Sequence, residues 1–210
     1  MYRVLVPGFV LLFLAGCGMA TSSLTSGFAN SGQPEPRKRE TASIDQSNKR
    51  VVAKTEDQAP KGAFEKAPKG ALSDRDYSTT RLDVERAREL VNAYRKSQGL
   101  RPLLLQPALT EAARAHSRDL AKWDRISHFG SDGSNPWDRV KRAGYPAKLA
   151  AENVGTGQVN IEEVVKGWQA SPGHNKNLLL PDAQHMGIAL VQDPKTEFKT
   201  FWTLVIGSPL

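Results

Sequence analysis

Residues 168–178, WQASPGHNKNL, are the stretch from which the fold is best predicted. An amphipathic helix is expected to lead into it, because Ile161, Val164, Val165 and Trp168 recur at helical spacing and give one buried face. Ser171-Pro172-Gly173 is expected to end that helix, since a residue before proline disfavours the α region and glycine tolerates a positive φ. His174 is therefore predicted on a rigid turn just beyond a core helix, where scaffolds commonly hold reactive side chains.

Further elements are predicted on both sides of this stretch. An apolar stripe from Leu82 to Tyr94 indicates a first helix that stops at Gly99. The other predicted elements are a helix from Pro107 through Leu120, a short helix from Asn135 closing at Gly144, and strands at Met186–Val191 and Phe201–Ile206. Helices mixed with a few antiparallel strands indicate the α+β class.

Short motifs along the chain occur in the order of a known superfamily. Ser127-His128-Phe129, Ala151-Glu152-Asn153, the stretch 168–178 and Trp202-Thr203 together resemble the CAP superfamily, also called SCP/TAPS, in its short bacterial form. The resemblance spans about residues 82–208. It implies a three-layer α-β-α sandwich, with about four helices around a small antiparallel sheet.

Charge alone does not indicate a nucleic-acid partner. The formal net charge is +7 and the isoelectric point is near 9.6, which favours contact with anionic surfaces. The lysines and arginines are interspersed with acidic residues, and no basic stripe with aromatic residues is present. We therefore predict a solvated basic surface and no nucleic-acid site.

Residues 1–17 have the pattern of a lipoprotein signal peptide. Arg3 precedes a short apolar run, and Leu14-Ala15-Gly16-Cys17 resembles a bacterial lipobox, whose cysteine becomes a thioether to diacylglycerol. Cys17 is the only cysteine, so lipidation would leave no thiol for catalysis, metal binding or a disulfide. An ordinary signal peptide with a chance cysteine is the alternative. Gly18, in place of aspartate, predicts an outer-membrane, periplasmic location if the host is Gram-negative.

Residues 18–80 are predicted to be a disordered tether, because they are polar, rich in small residues and without sustained periodicity. Ala-Pro-Lys-Gly-Ala occurs twice in this segment and is interpreted as low-complexity spacing. A flexible coil of this length has an end-to-end distance of roughly 40–50 Å. The CAP domain is predicted to comprise residues 81–210.

The resemblance also implies a set of site residues. In the larger family two histidines and two glutamates line a central cleft, and the motifs place His128, Glu152 and His174 on three of these positions. The fourth position falls near Ser171, a departure that short bacterial members share. Ser171 can still donate and accept a hydrogen bond, and Asn153 is expected to connect loops through hydrogen bonds.

Several chemical uses of His128, Glu152 and His174 stay open. The three match the ligand set of a zinc site with an open position for water. Without metal, they could share a proton, since a carboxylate raises the pKa of a nearby histidine. They could also serve only to satisfy one another's hydrogen-bonding groups and hold the loops in place. A serine triad of Ser171, His174 and Glu152 is disfavoured, because no nucleophile elbow or oxyanion signature accompanies it.

The remaining two histidines are assigned other roles. His116 lies on an apolar helical stripe and is predicted to be a packed histidine behind the site. His185 precedes a predicted strand and is expected at a loop or rim.

Three functions are compatible with these residues. The first is an envelope-anchored binding module for a lipid, a glycan or a cell-wall fragment. The second is a metal-dependent hydrolase that acts on peptides or envelope polymers, and the third is a structural spacer. The absent fourth ligand favours binding over hydrolysis, and the membrane is the expected partner through Cys17.

The lipobox generates a direct prediction. Cys17→Ser should leave an unprocessed precursor without the acyl modification, because the thiol is the acceptor of the lipid. Intact mass measurement of the membrane fraction checks this. Normal processing of Cys17→Ser, with the lipid still attached, would show that the lipobox interpretation is wrong.

Overall fold

The structure is a computed structural model that describes residues 28–30 and 57–210. The predicted signal peptide, with Cys17, and residues 18–27 and 31–56 of the predicted tether lie outside the described residues. No helix within the described ranges combines the length and the apolar character needed to cross a membrane. The helices of this part are α1 (Val84–Ser97), α2 (Pro107–Trp123), α3 (Pro136–Arg142), α4 (Ile161–Ala170) and α5 (Pro172–Leu178).

The strands form one large sheet and one small sheet. In chain order they are β1 (Phe28–Asn30), β2 (Phe64–Glu65), β3 (Leu104–Leu105), β4 (Ile126–Ser127), β5 (Ala147–Thr156), β6 (His185–Gln192) and β7 (Thr200–Pro209). The large sheet has the order β1-β5-β7-β6-β3, and the small sheet pairs β2 with β4. All pairs are antiparallel except β3 with β6. The α+β class predicted from the sequence is confirmed.

The central strand β7 produces three layers, because its side chains alternate between the two faces of the sheet. Trp202, Leu204 and Ile206 pack with α1, α4 and α5 in one buried cluster. Val205 packs with α2 and α3 in a second cluster, and Phe201 packs with the end of α2 in a third. Helices therefore cover both faces of the sheet, as the family resemblance implies.

Helix α2 lies directly on β6, and a glycine makes this approach possible. A Cβ atom at Gly187 would lie 2.1 Å from the backbone nitrogen of Thr110 and 2.2 Å from the carbonyl carbon of Leu109. No other residue fits at this position unless the helix moves away from the sheet. Pro107 occupies the first turn of α2, where its missing N–H costs nothing.

The break after α4 differs from its predicted form. Ser171 has extended backbone angles (φ −92°, ψ 119°) and separates two helices, so a break does occur there. Pro172 then begins the new helix α5, and His174 lies inside this helix instead of on a turn. The physical reason is that proline is well suited to a first helical turn, so it ends one helix and starts the next.

Residues 57–80, which the sequence analysis assigns to the tether, lie against the domain in the structure. Strand β2 pairs with β4, and Ser127 Oγ donates a hydrogen bond to Ala63 O at 2.6 Å. Arg75 forms an ion pair with Glu163 of α4 at 2.7 Å. The segment therefore runs over the surface of the sandwich and contacts it at several points.

These contacts predict that residues 57–80 stabilise the domain. A fragment of residues 57–210 should unfold at a higher urea concentration than one of residues 81–210. The expected difference in the free energy of unfolding is about 3 kcal/mol, since several hydrogen bonds of about 1 kcal/mol each are removed.

The same two fragments test the predicted domain boundary at residue 81. Equal urea midpoints would show that residues 57–80 add nothing to the fold and would support that boundary. Failure of residues 81–210 to fold alone would move the boundary to residue 57 or earlier.

Candidate functional site

Strand β5 carries polar side chains to both faces of the sheet. Ala150 and Val154 pack on the side of α2, and Glu152 lies between them on the same face. Asn153 points to the opposite face, where its Nδ2 donates to the backbone carbonyl of His174 at 3.0 Å. Neighbouring residues of one strand thus connect the two helical layers.

Glu152 is fully buried, and both of its carboxylate oxygens are in use. Arg139 donates from Nη2 to Oε2 at 2.7 Å, and His128 donates from Nδ1 to Oε1 at 2.9 Å. His116 Nε2 is 3.5 Å from the same Oε1. Burial alone would raise the pKa of Glu152, but the Arg139 guanidinium holds it well below its usual range. The side chain is an ionised hydrogen-bond acceptor.

Arg139 is a site residue that the sequence analysis missed. Besides Glu152, it binds the carbonyl oxygen of His128 at 2.9 Å through Nη2 and that of Ser134 at 2.8 Å through Nη1. A carboxylate in the apolar context of β5 indicates that a cation must lie nearby. Nothing in the sequence distinguishes Arg139 from the other basic residues as that cation.

His116 is completely buried on α2 behind this ion pair. Its Nε2 lies 2.8 Å from the carbonyl oxygen of Ser127, which can only accept, so Nε2 carries the hydrogen. Burial, together with the nearby charge of Arg139, lowers the pKa of His116 to about 4. The residue is therefore neutral at neutral pH, in the packed position that the apolar stripe predicts.

His174 reaches the site from the opposite layer. It is 2% exposed, and its Nε2 has no hydrogen-bond partner among the described residues. Burial lowers its pKa to about 4, and the nearby His128 contributes in the same direction. Asn177 fixes α5 in place, because its Nδ2 donates to Glu152 O at 3.0 Å and to Asn153 Oδ1 at 2.9 Å. We call Glu152, Arg139, His116, His128 and His174 the polar cluster.

The other predicted site residues lie outside the polar cluster. Ser171 is half-buried at the junction of α4 and α5. His185 begins β6, where its Nδ1 and the Tyr145 hydroxyl share a 2.7 Å hydrogen bond. Burial raises the pKa of Tyr145 to about 12, so the phenol keeps its proton. Cys17 lies outside the described residues.

The folded positions of His128, Glu152 and His174 do not fit the zinc site that the resemblance implies. Both oxygens of Glu152 already accept hydrogen bonds, from Arg139 and His128, so a metal ion would compete with these partners for the carboxylate. Within residues 28–30 and 57–210, no group of three or more His, Cys, Asp or Glu side chains is arranged to hold a metal ion. A zinc ion would require Glu152 to leave its ion pair.

A groove of about 820 Å³ lies at one end of the large sheet. Lys148 and Leu149 at the start of β5 line it, together with Leu104 of β3 and Arg101 before that strand. Glu152 lies three residues further along β5 than Leu149, a distance of about 10 Å. The groove is therefore separate from the polar cluster, and the sequence analysis did not predict it.

The buried histidines predict loss of stability in acid. Between pH 6.5 and about 4 the unfolded chain protonates His116 whereas the folded chain does not, so the free energy of unfolding falls as the pH falls. For His116 the loss approaches about 3 kcal/mol. His116→Gln keeps a donor near Ser127 O but cannot titrate, so it should lose less stability between pH 7 and pH 4.5 than the wild type.

Urea unfolding at the two pH values measures this difference. Ser117→Ala is the matched control. Ser117 lies on the same helix as His116, and its replacement removes a buried hydrogen bond to Thr203 without removing a titrating group. It should lower stability equally at both pH values. If His116→Gln and the wild type lost the same amount of unfolding free energy between pH 7 and pH 4.5, the assignment of this loss to His116 would be contradicted.

Comparison with known proteins gives the same fold and a family. An uncharacterized protein of Bacillus subtilis, YkwD, is 41% identical over 104 residues, which are 50% of this chain and 40% of that protein. The chain thus spans less than half the length of this curated relative.

Solved structures are similar as well. An outer surface protein of Borrelia burgdorferi matches with a TM-score of 0.54 and 20% identity, covering 61% of this chain and 97% of that one. An extracellular protein of Bacillus anthracis that contains an SCP domain matches with a TM-score of 0.52 and 24% identity, covering 59% of this chain and 39% of that one. At these identities the likeness shows the fold. The cysteine-rich secretory protein (CAP) family matches residues 88–206, more than half of the chain, and this chain belongs to that family.

Proposed function

We propose that this chain is an envelope-anchored binding protein whose ligand is an acidic amphiphile held in the groove at the end of the large sheet. The observation that carries the proposal is the composition of this groove. Leu104 of β3 is 59% exposed within it. Among the described residues, the other exposed large apolar side chain is Leu210, and it lines the same groove.

The charges around the groove indicate the head group of the ligand. The basic residues Arg101 and Lys148 line it beside the leucines, with Asp182 as an acidic neighbour. Apolar surface next to a net positive rim matches an acyl chain that ends in a carboxylate or phosphate. Of the lipid, glycan and wall fragment considered from the sequence, the lipid class fits these side chains best.

The polar cluster supports binding over hydrolysis. A general base works best with a pKa near the operating pH. Glu152 is held far below its usual pKa by Arg139, and His174 has a pKa of about 4. Neither group is a good proton acceptor at neutral pH. The tight packing of the cluster is better suited to holding the two helical layers together.

The signal-like residues 1–17 and the lipobox cysteine support the envelope location. Acyl chains on Cys17 would anchor the chain, at roughly 0.8 kcal/mol per buried methylene group. An extracytoplasmic lipoprotein encounters membrane lipids and their degradation products, which are acidic amphiphiles.

The groove predicts that dodecanoate binds more tightly than dodecanol to the chain of residues 18–210. Lys148→Glu should weaken dodecanoate binding about tenfold, or by about 1.4 kcal/mol, because a favourable charge becomes unfavourable. Leu104→Asn should weaken the binding of both compounds, since it removes apolar surface. Isothermal titration calorimetry measures each affinity.

Lys166→Glu is the matched control for charge, because Lys166 is exposed on α4 and does not line the groove. Its dodecanoate affinity should equal that of the wild type. Equal effects of Lys148→Glu and Lys166→Glu would refute the groove as the site, and binding of neither compound would refute the proposed ligand class.

A further inference from the structure

Strand β5 has β7 on one side and only a three-residue strand on the other. The short strand is β1, which pairs antiparallel with it from Phe28 opposite Glu152 to Asn30 opposite Ala150. Within residues 57–210, β5 is therefore an edge strand of the large sheet. An edge strand presents backbone N–H and C=O groups that can pair with another extended segment.

The occupant of this edge is joined to the domain by a long connection. Twenty-six residues separate Asn30 from Asp57, so chain connectivity does not force β1 into place. Three residues of pairing give only a few backbone hydrogen bonds, each worth about 1 kcal/mol. A tethered segment of this kind has an effective concentration on the order of millimolar, which is enough for reversible occupancy of a weak site.

The edge is suited to receiving a strand, and it lies at the polar cluster. The backbone groups of Ala150 and Glu152 face away from β7, so they are available to a neighbouring strand. Glu152, the third paired residue, holds the ion pair with Arg139. β1 also contacts α5, the helix that carries His174. A strand bound here therefore lies across the junction between the two helical layers.

We propose that the edge of β5 at Ala150–Glu152 is a binding site for an extended peptide strand, and that residues 28–30 of the same chain are its resident occupant. Recognition is through backbone hydrogen bonds, as in other cases of strand addition to a sheet edge. A peptide from another source must displace residues 28–30 before it reaches this edge. The segment thus controls access to the part of the sheet that carries the polar cluster, independently of the groove ligand.

Hydrogen exchange of backbone amides in the full chain tests the proposal. Asn30 lies opposite Ala150, whose backbone groups face β1 and not β7. Proline has no N–H to donate at this position, so Asn30→Pro should release β1. Amides of Ala150–Glu152 that do not bond to β7 should then exchange about tenfold faster or more, which matches loss of one or two backbone hydrogen bonds. Ala42→Pro is the matched control in the same polar segment and should exchange like the wild type.

A synthetic peptide of residues 24–33 completes the test. Added to the Asn30→Pro protein, it should restore slow exchange at these amides, whereas the same peptide with proline at position 30 should not. Thermal melting of the variant should lie close to that of the wild type, because the three residues of β1 contribute only a few backbone hydrogen bonds.

Three results would overturn the proposal. Equal exchange in Asn30→Pro and the wild type would show that residues 28–30 do not occupy the edge. Failure of the added peptide to protect the amides of the variant would show that the edge is not a strand-binding site. Protection that increases with protein concentration would assign the strand to a second copy of the chain instead of the same one.

Discussion

The ion pair between Glu152 and Arg139 is the interaction on which the α2 and α3 side of the sheet depends. An ionised carboxylate within a buried strand costs several kcal/mol unless a cation and hydrogen bonds compensate it. Arg139 supplies the cation, and its remaining N–H groups bind the carbonyl oxygens of His128 and Ser134. One guanidinium therefore fixes strand β5, helix α3 and the loop that follows β4 relative to one another. Loss of either partner would leave the other charge buried without compensation.

The adjacent residue has the corresponding role on the other face. Asn153 donates to the carbonyl of His174, and Asn177 donates back to Asn153 and to the backbone of Glu152. Trp168 Nε1 donates to Val154 O, so α4 is held to the same strand. The Ala151-Glu152-Asn153 motif thus acts by alternation: a charge faces one helical layer and an amide faces the other. This accounts for a structural role of the motif without a reaction.

The elements that could be predicted from the sequence are those with regular apolar spacing. Helix α4 follows from an uninterrupted period of 3.6 and strand β7 from a short apolar run, and Pro107 and Gly99 mark helix ends correctly. Helix α5 could not be predicted, because proline reads equally as the end of one helix and the start of another. In residues 57–80 the larger apolar residues Phe64 and Leu72 are eight positions apart and follow neither period, so this segment resembles a tether.

The candidate site was only partly predictable, for a similar reason. The family motifs identify His128, Glu152 and His174, and the structure brings these residues to β5 from different elements. Arg139 and the groove at Leu104 depend on which surfaces meet in three dimensions, and local sequence carries no signal for this. Whether the Glu152 carboxylate is free or ion-paired depends on the same contacts, and the sequence does not distinguish the two cases.

The pairing of residues 28–30 with β5 has a consequence for how far the domain can lie from the membrane. Eleven residue steps separate Phe28 from the proposed anchor at Cys17, and a fully extended chain spans at most about 3.6 Å per step. With that anchor, the paired edge of the sheet would lie within about 40 Å of the lipid surface. With β1 released, the forty steps from Cys17 to Asp57 allow a separation of up to about 140 Å. Occupancy of one sheet edge by three residues would thus determine whether the domain works close to its own membrane or across a wider part of the envelope.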